Sequence, residues 1–112
     1  MIPAPILAAA LPPVTVQHYL LLSGILFAVG LAGVLYRRNI IIVIMCLELM
    51  LSAANLAFVT FSRVHGNLEG QVMVFFSIAV AAAEAAVALS ILIALYRARN
   101  GIDVEDAAEL KG

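Results

Sequence analysis

Residues 40–62 read IIIVIMCLELMLSAANLAFVTFS, an apolar run in which Glu48 is the only ionisable side chain apart from the Cys46 thiol. As a helix such a run spans roughly 34 Å at 1.5 Å per residue, enough to cross a hydrocarbon core of about 30 Å. On its N-terminal side stand Arg37, Arg38 and Asn39, and before them residues 17–36 contain no Asp, Glu, Lys or Arg. On its C-terminal side, residues 63–70 read RVHGNLEG, and a third apolar run, 71–96, is interrupted only by Glu84. Three runs of this length predict three transmembrane helices, over 17–36, 40–62 and 71–96. The short links between them predict antiparallel neighbours in up-down order. The fold class expected is therefore all-α, an integral membrane protein.

Composition agrees with lipid as the solvent. The chain has 112 residues, 65% hydrophobic and 12% charged, where a soluble domain carries about a quarter charged. Its mean hydropathy is +1.14. A formal net charge of −1 gives no electrostatic basis for binding nucleic acid. The single cysteine, Cys46, makes no internal disulfide and does not supply the clustered thiolates of an iron–sulfur or structural zinc site. No phosphate-binding glycine loop, nucleophile elbow or zinc spacing occurs, so no catalytic redox centre and no cofactor or metal site is expected in this chain. His18 and His65 sit at a membrane boundary and in a loop, without visible partner ligands.

Orientation follows from Lys and Arg, since acidic residues contribute little to it. Arg37, Arg38, Arg97, Arg99 and Lys111 fall on one side and Arg63 alone on the other, which predicts an outer N-terminus and a cytoplasmic C-terminal tail over 100–112. Tyr19, Tyr36 and Tyr96 lie near span ends, where aromatic belts form. Residues 1–16 are apolar at the start, lack a positive n-region and contain Pro12-Pro13. They are expected to be retained rather than cleaved, and to form an interfacial or subunit-contacting segment too short to span.

The chemistry is expected where the sequence departs from what lipid tolerates. Glu48 and Glu84 each cost about 2.5–3.5 kcal/mol near mid-membrane, a cost that folding alone does not explain. Counted from Ile40 and Tyr96, they lie roughly 12 and 18 Å inside, a height difference of about 6 Å. On packed helices that would put them about 10–12 Å apart, joined by water rather than by a direct bond. Ser52 and Asn55 follow Glu48 at i+4 and i+7 and form a polar stripe with it. Ser77, Ala81 and Ala88 share the face of Glu84 and leave room for close helix approach or for water. Gly24, Ala28 and Ala32 form a small-residue stripe on the first span, expected to pack against a neighbour. Met45, Met50 and Met73 are expected to be ordinary core or lipid-facing residues.

Taken in order, Arg37-Arg38-Asn39, Leu47-Glu48-Leu49-Met50, Gly70-Gln71-Val72-Met73 and Ala81-Ala82-Ala83-Glu84-Ala85-Ala86 resemble the K subunit of proton-pumping NADH:quinone oxidoreductase, respiratory complex I. The resemblance covers about residues 17–112; the longer Pro-containing start departs from it. It implies a three-helix antiporter-like subunit of the membrane arm, lying between quinone-proximal and large antiporter-like subunits in a bacterial inner membrane. It also implies that Glu48 and Glu84 belong to a proton path, that Arg37 and Arg38 form a basic cytoplasmic loop, and that NADH, flavin (FMN), iron–sulfur clusters and quinone are bound by other subunits. The alternative from another class is the small subunit of a multisubunit cation/proton antiporter, which has no redox partner. A rotor proteolipid would have two spans and one acid. A plain membrane scaffold would tolerate Gln at both positions.

Overall fold

The computed structural model describes residues 1–99, and those residues form four helices: α1 (Ala4–Ala10), α2 (Val16–Tyr36), α3 (Ile40–His65) and α4 (Glu69–Arg99). The expected C-terminal tail, with Lys111, lies outside the described residues. Helices α2, α3 and α4, at 21, 26 and 31 residues, are each long and apolar enough to cross a membrane. They extend past the apolar runs that announce them, because a helix leaving hydrocarbon keeps satisfying its own backbone until a capping residue stops it. The N-terminal segment contains one short helix, α1, which ends ahead of Pro12-Pro13.

Two polar links set the antiparallel order. Asn39 caps α3, its Oδ1 accepting the Ile41 N–H at 3.0 Å. This satisfies one of the donors that a helix start leaves open. At the other end Gly66 adopts the left-handed conformation, φ 66°, in a Schellman turn: its N–H donates to the Arg63 carbonyl and that of Asn67 to the Ser62 carbonyl. Asn67 Oδ1 then accepts the Glu69 N–H at 3.2 Å, and α4 begins only three residues after α3 ends. The two histidines serve the helix ends. His18 Nδ1 accepts the Thr15 N–H at 3.0 Å where α2 starts, and the ring of His65 bonds the Phe61 carbonyl at 2.8 Å.

Helices α2 and α3 close on each other through small residues. A Cβ built on Gly33 would collide with Cys46 Sγ, and one on Gly30 would come within 2.6 Å of Met50 Cγ and 2.9 Å of the Cys46 carbonyl. Further along, Ser23 Oγ donates to the Ala53 carbonyl at 2.6 Å, and Ala53 is fully buried. As the α2 number falls from 33 to 23 the α3 number rises from 46 to 53, so the pair runs antiparallel. The packing face is thus Ser23, Gly30 and Gly33. The stripe expected to pack, Gly24, Ala28 and Ala32, is exposed, and a Cβ on Gly24 would meet nothing within 4 Å. Small residues fall in several helical phases of α2, and the phase chosen is the one facing Cys46 and Met50.

A core of the soluble kind is missing. Among the described residues no large side chain is fully buried, while Phe75 is 71% and Leu21 63% exposed. Surfaces this apolar belong against lipid or other polypeptide.

Candidate functional site

The two carboxylates sit on the two helices of the second seam. Glu48 is half-buried on α3. Glu84, on α4, is exposed within this chain and lines, with Ser77 and Ala81, a groove of about 340 Å³ whose α3 wall is Leu51 and Phe58.

The register of the seam is set near the loop. Gly70 lies so close to α3 that a Cβ there would collide with the Phe58 carbonyl oxygen and stand 2.7 Å from Ser62 Cβ. From that touching point the helices run in opposite directions, and seven residues make almost two turns, about 10 Å of rise with a drift of only about 20°. Seven residues back from Ser62 is Asn55, and seven on from Gly70 is Ser77; a further seven brings Glu48 and Glu84. The acids therefore stand level on facing helices. The 6 Å height difference counted from the span ends does not hold. By the same register Ile40 is level with Leu92, not with Tyr96, because α4 continues to Arg99.

The remaining predicted residues distribute unevenly. Ser52 is exposed, whereas Asn55 is half-buried and its Oδ1 is buried without a hydrogen-bond partner among the described residues. Ser77, Ala81 and Ala88 are half-buried along α4. Arg37 and Arg38 are exposed in the link between α2 and α3, at the end of α3 nearer Glu48. The pairing of Asn55 with Ser77 was not legible from residue types. It needs the register, which the Gly66 turn and the Gly70 contact supply.

Comparison with known proteins decides the setting of this seam. Residues 18–112 match the family described as NADH-ubiquinone/plastoquinone oxidoreductase chain 4L. A relative from Methylacidiphilum infernorum (isolate V4), NADH-quinone oxidoreductase subunit K, is 58% identical over 94 residues, covering 84% of this chain and 93% of that one. The chain belongs to the chain 4L family. Family membership makes it a multi-pass membrane subunit of NADH-quinone oxidoreductase, part of a multisubunit complex, and sets it apart from the antiporter small subunits. It also accounts for the exposed apolar surface, since a chain 4L subunit has other polypeptides to lie against. Neither glutamate need be enclosed by this chain alone.

Proposed function

We propose that Glu48 and Glu84 form a proton relay in the membrane arm of the oxidoreductase, one carboxyl on each side of the α3–α4 seam. The observation that carries this reading is their equal level on facing helices, in a chain whose spans hold no other carboxylate. Each side chain is able to take up and give back one proton, and a carboxylate on one helix can receive the proton that the carboxyl opposite releases. Confined water bridges a gap too wide for a direct bond. A change of conformation or charge arriving from the quinone end would alter that water and so switch the connection.

In this reading the chain binds no cofactor: NADH, FMN, iron–sulfur clusters and quinone are held by other subunits. Its neighbours are quinone-proximal and antiporter-like subunits, which cover Glu84 from the side this chain leaves open. Five basic residues against one support an outer N-terminus and a cytoplasmic C-terminus in a bacterial inner membrane, with Arg37 and Arg38 as the cytoplasmic basic loop. Residues 1–16, amphiphilic at best and too short to span, would lie at the outer interface or against another subunit.

Proton uptake by membrane vesicles, measured per NADH oxidised, tests the relay. Glu48→Gln and Glu84→Gln are each expected to lower it. The larger loss belongs to Glu48→Gln, because Glu48 is the more buried acid and shares its face with Asn55. Wild-type pumping in the double Gln variant would remove the relay.

A further inference from the structure

Midway between the loop and the two glutamates, the α3–α4 seam holds a pair of polar side chains with unused hydrogen-bonding capacity. Asn55 Oδ1 is buried and unpartnered, and Ser77, its counterpart in the register, makes no side-chain hydrogen bond among the described residues. Elsewhere in the spans the hydroxyls are occupied. Thr60 donates to the Leu56 carbonyl at 2.7 Å and Ser90 to the Ala86 carbonyl at 2.8 Å, the usual recourse of a helical hydroxyl in an apolar setting. A buried amide oxygen left without a donor costs about 1–3 kcal/mol, and ordered water is the common remedy.

The space for such water is present. Ser77 lines the groove of about 340 Å³ that leads past Ala81 to Glu84, whereas a water molecule needs about 30 Å³. A lipid tail or an apolar side chain lying in the groove would supply no donor and would leave Asn55 unpaired. Toward the loop the seam is shut by the contact of Gly70 with the Phe58 carbonyl and Ser62, and the Ser62 hydroxyl is itself engaged with the Asn67 carbonyl at 2.5 Å. The groove therefore ends blind on that side and leads toward the glutamates on the other.

We infer that Asn55 and Ser77 hold ordered water at this rung, and that the water extends along the groove to hydrate Glu84. Asn55 Oδ1 accepts a hydrogen bond from the water and the Ser77 hydroxyl donates one to it. Asn55 and Ser77 are thus positioning residues. The water they hold solvates the carboxylate left on Glu84 once its proton has passed to Glu48; this role, though not the water site itself, rests on the relay proposed above.

The test uses the intact oxidoreductase. Methyl methanethiosulfonate enters lipid and water alike but modifies only a thiolate, which forms where water reaches the sulfur. Its reaction with Ser77→Cys and with the neighbouring Ile78→Cys, read by mass spectrometry of this chain with Cys46 as internal reference, compares the groove with the outward face. Ser77→Cys is expected to react at least about tenfold faster; equal rates overturn the proposal, including the case in which a partner side chain fills the rung. A second measurement is proton uptake by Asn55→Leu, a near-isosteric apolar replacement. It is expected to fall about tenfold, as loss of about 1.4 kcal/mol of stabilisation gives, and to recover in Asn55→Ser, which restores a polar group and room for water. No recovery would mark Asn55 as a packing residue and overturn its role. Fast labelling of Ser77→Cys with wild-type pumping in the double Gln enzyme would keep the water and discard the relay. Lost pumping in the Gln variants with equal labelling rates would do the reverse.

Discussion

The two seams of this small bundle share α3 and differ in almost everything else. Between α2 and α3, glycines let the backbones approach, Met50 and Cys46 fill the gap, and the Ser23 hydroxyl is satisfied by the Ala53 carbonyl. Between α3 and α4, tight contact is confined to the loop end at Gly70. Beyond it come Asn55, Ser77, Glu48 and Glu84, with an amide oxygen unpaired and a groove left open. In hydrocarbon a closed seam contributes stability through packing, since lipid tails offer no hydrophobic drive of their own. An open polar seam costs stability and is retained for what it does. The contrast says that α2 anchors α3, and that α4 works against it.

Substitutions at the contact points probe this division. The largest effect on assembly is expected for Gly70→Ala, whose Cβ would meet backbone that has no freedom to move. A cost of about 3 kcal/mol is the upper end of overpacking, visible as a lower yield of intact complex in mild detergent and a lower thermal midpoint. Gly30→Ala should cost less, about 1–2 kcal/mol, because Met50 can turn its flexible chain aside; an equal loss at both positions would erase the distinction between the seams. Glu48→Gln should leave assembly near wild type while proton uptake per NADH falls about tenfold, equivalent to about 1.4 kcal/mol. Reduced assembly with normal pumping would instead make Glu48 a structural residue. Ser23→Ala removes one hydrogen bond from the closed seam and should cost about 1 kcal/mol in the thermal midpoint without changing pumping. Gly24→Ala should be neutral to the α2–α3 contact, or slightly stabilising through helix propensity. A large loss there would show that another subunit packs on that face.

The three spans were legible because lipid penalises charge so heavily that Arg37, Arg38 and Arg63 mark the ends by themselves. Both acids stood out for the same reason. Their relative height did not, since helices in membranes run on past their apolar segments, and the ends of α3 and α4 are poor rulers. The packing phase of α2 was also hidden: Gly24, Ala28 and Ala32 satisfy the small-residue pattern as well as Gly30 and Gly33 do, and only the partner's side chains choose between them. The caps at Asn39 and Gly66 did carry a local signal, an Asn before an apolar run and a Gly after one. Asn55 with Ser77 had no such signal, because neither residue type predicts what faces it across a seam.

The turn at Gly66 has a further consequence for how this chain tolerates change. Adding one residue between Gly66 and Glu69 would rotate α4 by about 100° about its axis and slide it by about 1.5 Å, sending Glu84 toward a different neighbour while leaving every span as apolar as before. Loop length here acts as a phase lock on the acid. An insertion that looks harmless by hydropathy should uncouple the enzyme, and a compensating deletion of one residue in the first turn of α4 should couple it again.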